Sequence, residues 1–443
     1  MKRALALISA FGFSLAAQGA AIVLSGGTIV DGYGNAPIPD GVVVIDGERI
    51  LAVGGHDLVV IPEGAEVIST EGMTVLPGLW DMQVRTMRLG HGDSARWNET
   101  YAPLAERVVM PLAAKQLLLA GVTSARDAGA PLEAATRVRG RIRENILPGP
   151  NLYVSGPVLR KLAPAGTETW QWEVESADDA RAKVRQLADA GVDYVLLAEL
   201  EMWSEEELTA AVSEARIRGL PVHAFAERAA DVERGAAAQV DGFLGAGTGM
   251  GDGAFPDGVM QALSQRLSQP AARALSWSPA ISALLNLESL RTNAEPLDDP
   301  ATTEALPPLV TTDILGSLAS LDRVSANELP AAQLPSLCEK LQQLQDTKLA
   351  LLLGSDAGVP GHLHSRATWQ EIDFWVRQCG VPAMRAIQAA THDAAAVMGV
   401  GHETGSIAPG KIADVIAVRG DVLRNPALLQ SVDIVIQRGR RVR

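Results

Sequence analysis

Of the 443 residues in this chain only seven are histidine and two are cysteine, so few side chains can carry metal or nucleophilic chemistry. His362-Leu363-His364 has the alternate spacing that chelates an ion when it lies on a strand, where residues two apart share a face. Here it follows Pro360-Gly361, so it reads as a loop pair with His364 at the start of a helix. His223 and Asp356 each stand at or just past the end of an apolar run, and Gln83 and Arg85 do the same at another. His56, His392 and His402 sit in surface-like or helical contexts and receive no role. A nucleophile needs a neighbouring base, and neither a Gly-x-Ser-x-Gly turn nor a Cys/His pair at a strand end is present. Ser355 beside Asp356 reads as turn chemistry. Two cysteines, Cys338 and Cys379, are too few for a cysteine zinc site; one disulfide and two separate thiols both stay open.

The elements that must position these residues alternate along the middle of the chain. Strand-like runs occur at 73–76, 122–125, 151–155, 193–197, 221–225, 240–244, 274–278 and 349–355, with helix-like stretches between them. One helix is expected over 180–190, another over 205–218 with Ser204 and Glu207 forming a capping box. Eight β/α units over about 300 residues predict a (β/α)₈ barrel, with an open doubly wound sheet as the runner-up. No glycine-rich phosphate loop follows the first strand. Both chain ends read differently: short strands at 22–24, 28–30, 41–45 and 50–53, then again at 414–418 and 434–437, are separated by turn pairs such as Asp46-Gly47. They predict one small β domain built from both termini. A proline-rich acidic stretch at 295–308 breaks the rhythm and reads as a solvated loop, with a lid over the barrel mouth as the alternative.

Net charge is −14. That argues against nucleic acid or an anionic membrane as partner. Met1-Lys2-Arg3 followed by an uncharged run to Ala17 is a secretory signal peptide pattern, and the run is short for a membrane span. No later stretch reaches 18 uninterrupted apolar residues. A soluble, secreted or periplasmic protein is expected.

Thr74-Val75-Leu76-Pro77-Gly78-Leu79-Trp80-Asp81-Met82 resembles the entry to the first barrel strand of the amidohydrolase superfamily, in its imidazolonepropionase-like and prolidase-like branch. Ala120-Gly121-Val122-Thr123-Ser124-Ala125-Arg126-Asp127 resembles its second, Gly191-Val192-Asp193-Tyr194 the approach to its fourth, Gly219-Leu220-Pro221-Val222 its fifth and Gly354-Ser355-Asp356-Ala357-Gly358 its eighth. The run from Gly405 through Pro409-Gly410-Lys411 to Asp414 resembles its return to the small domain. The resemblance implies a (β/α)₈ barrel over 78–400. A composite β-sandwich would be formed from 21–77 and 401–443, after a signal peptide over 1–20. It also implies hydrolysis of amides, cyclic amides or dipeptides by a hydroxide on a divalent ion, held by four histidines, often a lysine, and one aspartate.

At the positions that resemblance assigns to ligands, the residues are Gln83-Val84-Arg85 for the first His-x-His, Leu196 for the lysine, His223-Ala224-Phe225 for a His-Ala-His, and Gly245 for the sixth-strand histidine. Arginine has no lone pair to give. Only His223 and Asp356 match, where about three protein ligands are needed. The sequence therefore predicts a pseudoenzyme binding a ligand or protein partner of unknown identity. Asp356 is its catalytic-type residue, and Arg85, Gln83 and His223 contact the ligand. No metal ligand and no cofactor are expected. The alternative is an active enzyme using a divalent metal such as zinc at a relocated site, drawn from His91, Glu227, His362 and His364. Arg85 and Asp356 are expected to pair. A homo-oligomer is left open.

Overall fold

A computed structural model describes residues 21–270, 273–284, 303–318 and 334–443. The signal peptide expected over 1–20, and residues 295–302 of the proline-rich stretch, lie outside them. Five strands open the chain: β1 Ile22–Ile29, β2 Ile38–Asp46, β3 Arg49–Gly55, β4 Glu66–Ser69 and β5 Met73–Pro77. Three barrel strands follow, β6 Leu79–Val84, β7 Val122–Asp127 and β8 Asn151–Val154, then β9 Val158–Arg160 and β10 Gln171–Glu173. β11 Val195–Leu197, β12 Val222–Phe225, β13 Gly242–Leu244, β14 Ser276–Ser278 and β15 Ala350–Leu351 complete the central set. β16 Val415–Arg419, β17 Ile434–Gln437 and β18 Arg440–Arg441 close the chain.

The terminal strands form one eight-stranded sheet in the order β18-β17-β16-β5-β1-β2-β3, with β4 on β1. The seam between the two chain ends is the antiparallel β16–β5 ladder, Val415 opposite Pro77 and Arg419 opposite Met73. β1 changes partner along its length, pairing with β4 over 22–25 and with β5 at 28–29, and its register shifts around Gly27 bend the sheet there. Alternation of side chains separates two apolar clusters: Leu24, Val43, Ile45 and Val415 on one side, Val23, Val42 and Val44 on the other. Leu76, Ile416, Val418 and Val435 face the barrel core and join the two units.

The central strands pair in parallel. β6-β7-β8 form one stretch and β9-β11-β12-β13-β14-β15 another. The ring closes where Met82 N donates to Leu353 O at 2.8 Å, Asp356 N donates to Gln83 O at 2.7 Å, and Val84 bridges Ala357. Every residue of β6 and β7 is buried, as expected of strands covered by helices on one face and a filled barrel on the other. The sequence places a barrel strand at 73–76; that run is β5 of the terminal sheet, and the first barrel strand begins after the Pro77-Gly78 break. Both runs are mostly apolar and almost wholly buried, so hydrophobicity alone hides the boundary.

The helix Ala177–Asp189 starts three residues before its expected limit because Ser176 caps it, its hydroxyl accepting from Asp179 N. The helix Glu205–Ile217 carries the expected capping box: Glu207 N donates to Ser204 Oγ, and Ser204 N donates to the Glu207 carboxylate. Cys338 and Cys379 form a disulfide with Cα atoms 4.8 Å apart. It ties the helix Leu334–Gln345 to the residues after the helix Ala367–Arg377. The described end of the proline-rich stretch leads into the helix Pro308–Leu318, whose Val310, Ile314 and Leu318 pack on Leu89, Trp97 and Leu363. No helix among the described residues is long and apolar enough to cross a membrane.

Candidate ligand site at the barrel mouth

Strands of a barrel deliver the side chains at their C-terminal ends to one face. Here β6 delivers Arg85, β12 delivers Phe225 and the turn after β15 delivers Asp356. The ion pair expected between Arg85 and Asp356 is present. Arg85 Nε donates to Asp356 Oδ1 at 2.7 Å and a terminal nitrogen donates to Oδ2 at 3.3 Å. The guanidinium also lies over the Phe225 ring, 5.2 Å from its centroid. Burial works against the charge on Arg85, but Asp356, and then Glu227 and Asp127, outweigh it and hold the guanidinium above its ordinary value.

The turn that presents Asp356 is built rather than loose. Asp356 has φ of 54°, in the left-handed region. Its neighbour Ser355 donates through both N and Oγ to the buried Asp81 carboxylate, at 3.0 and 2.5 Å, and Thr368 Oγ1 donates to the same carboxylate at 2.7 Å. Burial lifts Asp81 to about 6 against these donors. Asp127 is lifted to about 6 by burial as well, while receiving the N and Oγ1 of Thr86.

The mouth opens into a cavity of about 910 Å³. Arg85, Arg88, Trp170, Phe225, Glu227 and Arg228 are among its walls, with Val158, Ala198 and Met202 adding apolar surface. Glu227 receives the Thr248 hydroxyl at 3.2 Å and is held above the ordinary carboxylate range chiefly by burial. Its carboxylate fills the end of the sixth strand: a Cβ on Gly245 would meet Glu227 Oε1 at 3.0 Å.

Of the four residues assigned to the site from sequence, Arg85 lines this cavity and Asp356 is held at its side. Gln83 and His223 do not line it. Gln83 is buried against Gly354, with its backbone carbonyl occupied by Asp356 N and its side-chain oxygen without a hydrogen bond. His223 faces inward to Arg126, whose Nη1 lies 3.2 Å from Nδ1 and 3.3 Å from Nε2. Burial, then the Arg126 charge, hold His223 well below its ordinary value, so the ring is neutral and one nitrogen accepts from Arg126. Arg126 is anchored by donating to Met82 O at 2.8 Å and sits over the Tyr194 ring.

The alternative ligand set does not assemble. His362 and His364 are fully buried rather than loop-exposed, and burial lowers both to about 3. His91 is drawn to Asp313 on the Pro308–Leu318 helix, at 3.4 Å, instead of to the mouth. Among the described residues, no three His, Cys, Asp or Glu side chains come together as a metal-binding group.

Residues 74–442 match the amidohydrolase family. The chain belongs to that family. Three solved structures share the fold of this amidohydrolase. A Xaa-Pro dipeptidase with methionine bound in its active site is 22% identical, with 95% of this chain and 99% of that one covered and a TM-score of 0.72. A prolidase complexed with N-methylphosphonate-L-proline is 21% identical, with 96% and 99% covered and a TM-score of 0.72. Ochratoxinase from A. niger is 19% identical, with 95% of each chain covered and a TM-score of 0.69. No curated protein sequence matches the chain. At these identities the likeness is one of fold.

Sequence reasoning missed Arg88, Arg160, Glu199 and Arg228 in the cavity and Arg126 beneath it. Arg126-Asp127 carried a usable signal, since a charged pair that ends an otherwise buried barrel strand must point at the mouth or into the barrel. Trp170 is on the cavity wall, whereas Trp97 and Trp203 are buried elsewhere, donating to Met87 O and Ala198 O.

Proposed function

We propose that this amidohydrolase-family protein is an exported pseudoenzyme: a barrel that binds a ligand or partner at its mouth and does not hold the family's catalytic metal. The observation that carries the proposal is the Arg85–Asp356 ion pair. A divalent ion needs anionic or neutral lone-pair donors. The aspartate at the end of the eighth strand already has both oxygens engaged by a permanent cation from the first. The donor set fits poorly in its other members too. The remaining histidine on the fifth strand turns its ring to Arg126, Leu196 has no donor, and the space over Gly245 is taken by Glu227. These donors therefore do not fit the family's metal-bound hydroxide. The neighbours whose names describe dipeptidases and hydrolases support the alternative, an active enzyme on an amide or dipeptide with a relocated metal.

Metal analysis of protein purified without chelators decides between the two. The proposal expects no stoichiometric transition metal and no metal-stimulated hydrolysis of an amide and dipeptide panel. About one bound equivalent of zinc together with such hydrolysis would overturn it. Amino-terminal sequencing of protein recovered from the producing cell tests export: an intact Met1 overturns that part.

A further inference from the structure

Four arginines line the mouth cavity, and three are matched by carboxylates: Arg85 with Asp356, Arg160 with Glu199, and Arg228 with Glu201. Arg88 is the exception. Among the described residues its guanidinium has no carboxylate or carbonyl partner. Its Nε is buried without a hydrogen bond, and its one close contact of note is the face of Trp170, 5.3 Å to the ring centroid. Burial and the neighbouring Arg85 charge together pull Arg88 down to about 10, with Asp356 opposing them only in part. The group is thus charged at neutral pH and short of counter-charge.

A partly desolvated guanidinium without a counter-charge is costly to keep. Its fork of donors matches the two oxygens of a carboxylate. The chemistry of the remaining walls limits the charge and shape of what fits. Glu199, Glu201, Glu227 and Asp231 share the cavity and disfavour a dianion such as a phosphate monoester. Trp170, Phe225, Val158 and Met202 supply apolar and aromatic surface.

We propose that the cavity binds a small organic monocarboxylate, its carboxylate on the Arg88 fork and its apolar body on the wall that includes Trp170 and Phe225. This names the ligand class of the mouth and rests on reading the barrel as a ligand-binding protein; it does not depend on whether metal is present.

Calorimetric titration of the full mature protein with phenylacetate, its neutral isostere phenylacetamide and inorganic phosphate tests the assignment. Phenylacetate binds, phenylacetamide binds at least about tenfold more weakly, and phosphate does not compete, since a charge-assisted pair is worth roughly that factor. Arg88→Met reduces phenylacetate to the level of the amide, and Arg88→Lys retains part of the preference. Arg88 has no carboxylate or carbonyl partner to lose, only its contact with the Trp170 ring, so Arg88→Met melts close to the wild-type temperature, whereas an arginine held by structural ion pairs would lower it clearly. Equal binding of acid and amide, no binding of phenylacetate at about 10 mM, or undiminished binding by Arg88→Met overturns the assignment. Zinc content of the same preparation is read separately. A zinc-loaded protein that still prefers the acid sinks the metal-free reading and leaves this subsite standing. A zinc-free protein without the preference does the reverse.

Discussion

Arg85 and Asp356 come from the first and last units of the barrel, 271 residues apart, and meet in a two-point ion pair at the seam where the barrel closes. Their side chains are about a fifth exposed, 21% and 16%. Removing one partner leaves the other short of a counter-charge in a partly desolvated place, which costs about 2 kcal/mol, below the range for fully buried pairs. Arg85→Met leaves Asp356 beside Glu227, a like charge. The double variant Arg85→Met, Asp356→Leu removes both charges and is expected to lose less than the sum of the single losses. Urea midpoints of the four proteins give the coupling directly, and strictly additive losses would show that the pair contributes nothing.

The same pair governs whether metal binding can be recovered by one substitution. Arg85→His supplies an imidazole and frees Asp356, which gives donors at two of the family's ligand positions. His223 cannot make the third while its ring faces Arg126. Three protein ligands are the usual minimum for zinc with an open position. Competition of this variant with a chromophoric chelator is expected to show no zinc site at about micromolar affinity or better. A stoichiometric site at that level would mean that the arginine alone blocks the metal.

Thr368 acts on Asp356 at one remove. Its hydroxyl donates to Asp81, and Asp81 in turn receives Ser355 N and Oγ, which fix the turn carrying Asp356. Thr368→Val removes one of the donors that keep a buried carboxylate satisfied. The expected loss is about 1.5–3 kcal/mol. Asp81 is already lifted by burial, and losing a donor lifts it further, so the added loss grows as pH rises from 5 to 8, roughly the span in which the carboxylate ionises. A pH-independent loss would place the effect in packing instead.

The barrel was legible because its strands are short apolar runs spaced by amphipathic helices, and because Ser204 and Glu207 sit at capping-box spacing. The terminal sheet was legible from alternation and turn pairs, and the resemblance put its border with the barrel at residues 77–78, which the apolar runs alone did not show. Met73–Pro77 and Leu79–Val84 are both almost wholly buried, and the ladder between β5 and β16 assigns the first of them to the sheet. At the site, charge arithmetic found the Arg85–Asp356 pair, since two opposite charges brought to one mouth must be reconciled. It did not find the depth of Gln83 and His223, because position along a strand says which face a residue takes and not how far down the barrel it lies. Nor did it find Arg88 or Arg228, which sit outside the strands on segments whose course the pattern does not fix, or Arg160, which ends the short strand β9 that no apolar run marked.

His364 offers the sharpest pH test. Its ring is fully buried, neither nitrogen has a hydrogen bond, and burial lowers it to about 3, with the Arg85 carbonyl opposing weakly. In the unfolded chain a histidine titrates near 6.5. Below that pH the unfolded state takes up a proton that the folded state refuses, so this group's contribution is full above 6.5 and is lost as pH falls towards 3. His362 acts in the same direction, while Asp81, Asp127 and Glu371, all raised by burial, favour the folded state at the acid end. Only a difference between two proteins isolates the one ring. From pH 6 to 4 the wild type is expected to lose up to about 1.4 kcal/mol per pH unit more than His364→Leu. Near pH 8 the variant should match or exceed the wild type, because a group without partners gives way to an apolar one. Parallel stability curves across this range would mean that His364 carries its proton in the folded state.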